Sequence, residues 1–163
     1  MKTLLLLRHA KSSRDIPDLA DEERPLNERG KQAAKQVGRF LRDEDLVPDL
    51  ILSSTAVRAR KTSQKAAKAC DYPRAIELEE RLYLASAQTH STVIRGVVPD
   101  CKRLLLVGHN PGISDFLNHL TSADEEMPTA GLAIVELPIN HWKDLTAKTR
   151  GKLVKFWRPR ESK

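Results

Sequence analysis

Leu4-Leu5-Leu6-Leu7-Arg8-His9 near the start of the chain has a close echo in Leu104-Leu105-Leu106-Val107-Gly108-His109. Four apolar residues without polar alternation read as a strand covered on both faces, the pattern of a parallel sheet between helix layers. Each run stops at polar residues and a histidine. A third run, Asp49–Leu52, leads into Ser53-Ser54-Thr55. Working outward, helical periodicity fills the gaps. Asn27 is placed to cap a helix to about Asp43, with Ala33, Ala34, Val37, Phe40 and Leu41 on one face. A second helix is predicted over Ala56–Ala69 with Ser54 or Thr55 as its cap, and a third over Thr89–Val97. A fourth runs to about Leu120, with Pro111 in its first turn. Short strands are predicted at Ala75–Leu78, Leu132–Leu137 and Lys152–Trp157, and residues 10–26, with Pro17 and Pro25, read as a polar loop. Strands alternating with helices give an α/β fold: three layers, a mostly parallel central sheet flanked by helices.

The length of 163 residues suits a single domain, 1–163, able to bury a core without metal or disulfide staples. Hydrophobic residues at 40%, charged residues at 31% and a mean hydropathy of −0.47 exclude a disordered chain and a membrane-embedded one. Cys70 and Cys101 lie outside any paired spacing and read as free thiols of a reducing compartment. The four leucines after Met1-Lys2-Thr3 are too few for the apolar core of a signal peptide. We therefore expect a cytoplasmic protein with no membrane partner.

The net charge of +6 is unevenly placed. Residues 1–142 carry 20 basic and 20 acidic side chains, whereas residues 143–163 carry 8 basic and 2 acidic. The body is neutral and the tail 143–163 basic. With aromatics at 4% there is little to stack nucleobases, so no nucleic-acid partner is expected. The tail reads as a soluble edge or a docking surface for an acidic partner.

In an open α/β sheet, ligands bind beyond the carboxyl ends of the strands. His9 and His109 both stand there. Arg8 offers a permanent, fork-shaped cation matched to phosphate oxygens. Arg58 falls in the first turn of the second helix, whose N-terminus favours anions. A loop histidine with an ordinary pKa near 6.5 is a neutral nucleophile at physiological pH. Asp115 and His119 share a helix face at i, i+4 but lack a third partner for a metal. His90 and His141 have no pattern, and Trp142 and Trp157 read as packing residues.

These segments together resemble the histidine phosphatase superfamily, with its phosphoglycerate-mutase-like fold, and its short SixA-type phosphohistidine phosphatases most of all. The resemblance is carried by Leu4–Leu7 with Arg8-His9-Ala10-Lys11, and by Arg24-Pro25-Leu26-Asn27-Glu28-Arg29-Gly30 with Gln32-Ala33. It continues through Ser53–Ala59 with Thr62 and through Val107-Gly108-His109-Asn110-Pro111, covering roughly residues 3–137. It implies a metal-independent hydrolase without cofactor. His9 would become a transient phosphohistidine, and Arg8, Arg58 and His109 would bind the phosphate. It departs from the many members that read Arg-His-Gly-Glu-Thr, since Ala10-Lys11-Ser12 follows His9 and Asp15 stands where an Asn is common. The family's general acid has no evident counterpart; Glu79, Glu80, Asp15, Asp18 and Asp21 are candidates. An imidazole leaving group needs less protonation than an alkoxide. The expected substrate is therefore protein phosphohistidine, presented by a phosphorylated protein domain. A small phosphorylated substrate is the alternative, and a non-catalytic phosphate- or protein-binding module is a further one.

Overall fold

The computed structural model describes residues 1–160. Six strands form one sheet: β1 (Lys2–Arg8), β2 (Leu50–Ser53), β3 (Glu77–Leu78), β4 (Arg103–Gly108), β5 (Leu132–Leu137) and β6 (Lys152–Trp157). Their order across the sheet is β3-β2-β4-β1-β5-β6. The four helices are α1 (Glu28–Asp43), α2 (Val57–Ala69), α3 (Ala87–Arg95) and α4 (Gly112–Thr121).

The two leucine-rich runs are adjacent and parallel, with Leu4 opposite Leu104 and Leu7 opposite Val107. Side chains alternate across a strand, so each run feeds two cores. Leu4, Leu6, Leu104 and Leu106 enter the core beneath α3 and α4, with Phe116, Leu117 and Trp142. Leu5, Leu7, Leu105 and Val107 enter the core beneath α1 and α2, with Val37, Leu41, Ala59 and Ala66. All eight strand residues are fully buried. Each such leucine contributes about 1.5–3 kcal/mol by leaving water. The three layers expected from the sequence are present.

The sheet is parallel from β3 through β1 and antiparallel at β5 and β6. No helix crosses over between β5 and β6; only a single 3₁₀ turn at Trp142–Asp144 lies between them, so β6 returns beside β5 in the opposite sense.

Asn27 caps α1 as expected, its side chain accepting from Gly30 N–H at 2.8 Å. The expected Ser54 or Thr55 cap of α2 is corrected: the N-cap is Ala56, with no side-chain cap bond. Ser54 instead turns to His109. The third helix starts two residues early, at Ala87, because Ser86 accepts from Thr89 N–H at 3.2 Å and caps it. Pro111 stands just before α4, at its N-cap, after a cis bond from Asn110. Both cysteines are unpaired and buried, and burial raises both thiol pKa values. Trp142 is fully buried and Trp157 stacks on Phe40, so both pack as expected. No helix among the described residues is long and apolar enough to cross a membrane.

Candidate active site

The carboxyl ends of β1, β2 and β4 open onto a pocket of about 500 Å³ lined by Arg8, His9, Asp21, Arg24, Arg58, Leu84 and His109, among others. The four residues singled out from the sequence, Arg8, His9, Arg58 and His109, are thus brought together. Three of them are largely withdrawn from water, His9 at 7% exposed, Arg58 at 3% and His109 at 1%, and Arg8 is half-buried.

Backbone bonds hold the loop after β1. His9 N–H donates to Gly108 C=O at 3.1 Å, and Ala130 N–H donates to the carbonyls of Arg8 and His9. Ala10 N–H donates to Thr62 Oγ1 at 2.9 Å, and that hydroxyl donates to Arg58 C=O at 2.7 Å, tying the loop to α2. Gly30 is required where α1 meets this loop, since a Cβ there would lie 2.1 Å from Lys11 C=O.

The His9 ring is oriented by its own neighbour. Its Nδ1 lies 2.8 Å from Ala10 C=O, which accepts only, so Nδ1 carries the proton and Nε2 the lone pair. Burial lowers the His9 pKa to about 4, with Arg58, Arg8 and Arg24 adding repulsion. The ring is neutral at pH 7. His109 Nε2 lies 2.7 Å from Ser54 Oγ, which already accepts from Ala56 N–H. Among the described residues the Ser54 hydroxyl has no other acceptor, so its proton goes to His109 Nε2, which leaves Nδ1–H as a donor without a partner. Burial, then His9 and Arg58, lower the His109 pKa to about 3.

Seven buried side-chain nitrogens among the described residues lack a hydrogen-bond partner, and four belong to pocket residues: Arg8 Nε, Arg24 Nη1, Arg58 Nε and His109 Nδ1. Buried donors are normally paired, and a cluster of unpaired ones marks a place prepared for an acceptor. The cluster is cationic and suits an oxyanion of phosphate type.

Asp21 is the one carboxylate among the described lining residues. It accepts from Arg58 Nη2 at 2.9 Å, Arg24 Nε at 3.1 Å and the Tyr83 hydroxyl. Arg58 Nη1 also donates to its backbone carbonyl at 2.7 Å. The Tyr83 bond, then the Arg58 ion pair, hold its pKa down to about 2. Asp21 is therefore ionised at neutral pH, an anchor for two arginines rather than a proton donor. The other acid candidates lie elsewhere: Asp15, Asp18 and Glu80 are exposed away from the pocket, and Glu79 pairs with Arg81 at 2.9 Å. His119 Nε2 faces Ala147 C=O at 2.9 Å, Asp115 and His141 are exposed, and His90 is buried against Phe116.

Three contributors escaped the sequence reading. Arg24 belongs to a segment that resembles the family, yet nothing in its spacing placed it in the site. Tyr83 sets its ring 5.9 Å from the Arg58 guanidinium carbon and edge-on to His109. The loop before β5 fixes Arg8 and Asn110 through one carbonyl, that of Met127, at 3.0 and 2.9 Å. No local pattern announces such contacts.

Known proteins share the sequence pattern and the fold. Residues 4–83 match the histidine phosphatase superfamily (branch 1). The uncharacterized protein Rv1276c of Mycobacterium tuberculosis is 36% identical over 151 residues, covering 85% of this chain and 91% of the relative. A SixA-type structure from Agrobacterium tumefaciens, 31% identical, superposes with a TM-score of 0.83 over 97% of this chain and 98% of its own. The protein histidine phosphatase SixA complexed with tungstate superposes at 0.80 with 17% identity, over 96% of each chain, and shares the fold. Neighbouring parallel strands, each followed directly by a histidine, and a phosphoglycerate-mutase-like sheet place this chain in the histidine phosphatase superfamily, branch 1, to which it belongs.

Proposed function

We propose that the protein is a phosphatase that works through a covalent phosphohistidine on His9, with protein phosphohistidine as its substrate. The observation that carries this reading is the His9 ring itself. Its Nδ1–H is held by Ala10 C=O, and its neutral state is kept by burial. Nε2 attacks phosphorus, a new N–P bond forms, and the bond to the leaving group breaks. Arg8, Arg58 and His109, joined by Arg24, hold the non-bridging oxygens and offset their charge. Water then cleaves the phosphohistidine, releasing phosphate and restoring His9. As the dianion arrives, its charge draws His109 toward the imidazolium form.

The substrate class follows from the proton inventory. The one carboxylate among the described pocket residues, Asp21, is ionised and engaged by two arginines. A phosphoramidate suits such a site, because imidazole departs with a conjugate acid of pKa near 6.5 and requires little help. Leu84, 58% exposed at the pocket mouth, adds an apolar rim that a protein surface can cover. A relative of the same fold carries tungstate, a phosphate-like oxyanion, and the unpaired donors here suit the same shape of ligand.

The test is rapid quenching during turnover of a phosphohistidine protein, followed by mass mapping. An acid-labile, alkali-stable phosphate on His9 is expected. Label elsewhere, or none, overturns the covalent mechanism. Far better turnover of small phosphate esters than of the phosphoprotein would make a small molecule the substrate.

A further inference from the structure

Beside the pocket lies a second depression, a groove of about 620 Å³ between α1 and the segment Arg158–Arg160. Lys11 and Thr129 line both, so the groove adjoins the catalytic pocket. We propose that this groove docks an acidic segment of the phosphorylated partner protein, an inference that rests on the phosphatase reading for the identity of the partner.

One wall is a face of α1: Arg29, Gln32 and Gln36 at helical spacing. The opposite wall is Arg158-Pro159-Arg160. Its position is fixed by an amide pair, in which Gln36 Nε2 donates to Arg160 C=O at 3.1 Å and Arg160 N–H donates to Gln36 Oε1 at 3.0 Å. Ala33 and Pro128 give the groove apolar lining. The side chains of Arg29, Arg158 and Arg160 make no hydrogen bond or ion pair among the described residues. The one carboxylate among the described residues that line the groove, Glu28, is already paired with Lys31 at 3.1 Å. Three arginines without counter-ions over a partly apolar lining are complementary to a chain rich in Asp and Glu. Polynucleotides are disfavoured because no aromatic ring among the described residues lines the groove for bases to stack on. Two of the tail's eight basic residues, Arg158 and Arg160, thereby face a groove that adjoins the catalytic pocket.

The experiment compares two synthetic phosphohistidine peptides, identical except for flanks of Asp and Glu in one and Asn and Gln in the other. At low salt the acidic peptide should show a kcat/KM about tenfold higher, the scale of two or three surface ion pairs. That preference should fade at high salt and vanish in the Arg29→Glu/Arg158→Glu variant, while turnover of free phosphohistidine stays unchanged. Gln36→Ala, which frees the wall without altering charge, should reduce the preference in part. Equal kcat/KM for both peptides in the native chain, or a preference that survives charge reversal, overturns the proposal. So does a single-stranded oligonucleotide that outcompetes the acidic peptide. Binding of the unphosphorylated acidic peptide, read by fluorescence anisotropy, separates the two readings. Binding that needs Arg29 and Arg158, with no turnover of any substrate, supports the groove and sinks the phosphatase assignment. Turnover without preference or binding does the reverse.

Discussion

Strand β1 carries a cation at each end, and the two are finished differently. Lys2, at the amino end, is 4% exposed. Its Nζ donates to Pro99 C=O and Cys101 C=O, both at 2.8 Å, and lies 5.6 Å from the centre of the Trp142 ring. Arg8, at the carboxyl end, gives Nη1 to Met127 C=O and keeps Nε without a partner, next to Arg58 and Arg24 with unpaired nitrogens of their own. One cation is closed by the protein; the other is left open. A buried charge alone says little about function. The donors left over after the protein has made its own bonds say where an anion belongs.

The sharpest way to break this comparison is at the open end. His9→Ala should lower turnover by at least about 10⁴-fold while circular dichroism and thermal melting report a native fold. Substantial residual activity would remove His9 as nucleophile. Arg58→Ala should lower kcat by about 10²–10³-fold and weaken vanadate or tungstate binding, measured by calorimetry. An unchanged oxyanion affinity would contradict its role.

The open end should also show in the pH dependence of stability. His9 and His109 have folded pKa values of about 4 and about 3, below the ordinary 6.5. Between those values the unfolded chain binds more protons, so stability is full above about pH 6.5 and declines as pH falls toward 4 and then 3. The melting temperature should follow that slope, and saturating vanadate should raise it by binding the folded state. A flat profile over this range would mean that the two rings are not held neutral.

Smaller effects sharpen the contrast. Asp21→Asn removes the charge that holds Arg58 and Arg24 but no proton donor, so kcat should fall about tenfold or less, equally for phosphohistidine and for esters with poor leaving groups. A loss confined to the esters would restore Asp21 as a general acid. Lys2→Met, at the closed end, should cost about 1–3 kcal/mol in denaturant unfolding by leaving carbonyls unpaired, with turnover and oxyanion affinity unchanged.

The two leucine runs were legible because strand burial on both faces leaves no room for polar residues. His9, Arg8, His109 and Arg58 were legible because each directly follows such a run or starts the next helix. Asp21, Arg24 and Tyr83 reach the pocket through loop paths that no local period encodes. The pairing of Asp21 with Arg58 spans 37 residues and that with Tyr83 spans 62. The cap of α2 was misread for a related reason. Ser54 is a good capping residue by type, but the helix starts at Val57, so its hydroxyl accepts only from Ala56 N–H ahead of the first turn and bonds His109.

The Gln36–Arg160 pair has a practical consequence for anyone preparing the protein. A peptide tag inserted directly after Arg160 would join the groove wall that Gln36 holds and bring its own charges to it. Met1 leads into the opposite end of β1, where its amine meets Asn140. A tag placed there leaves the groove free, and peptide selectivity measured on the two tagged forms should differ for that reason alone.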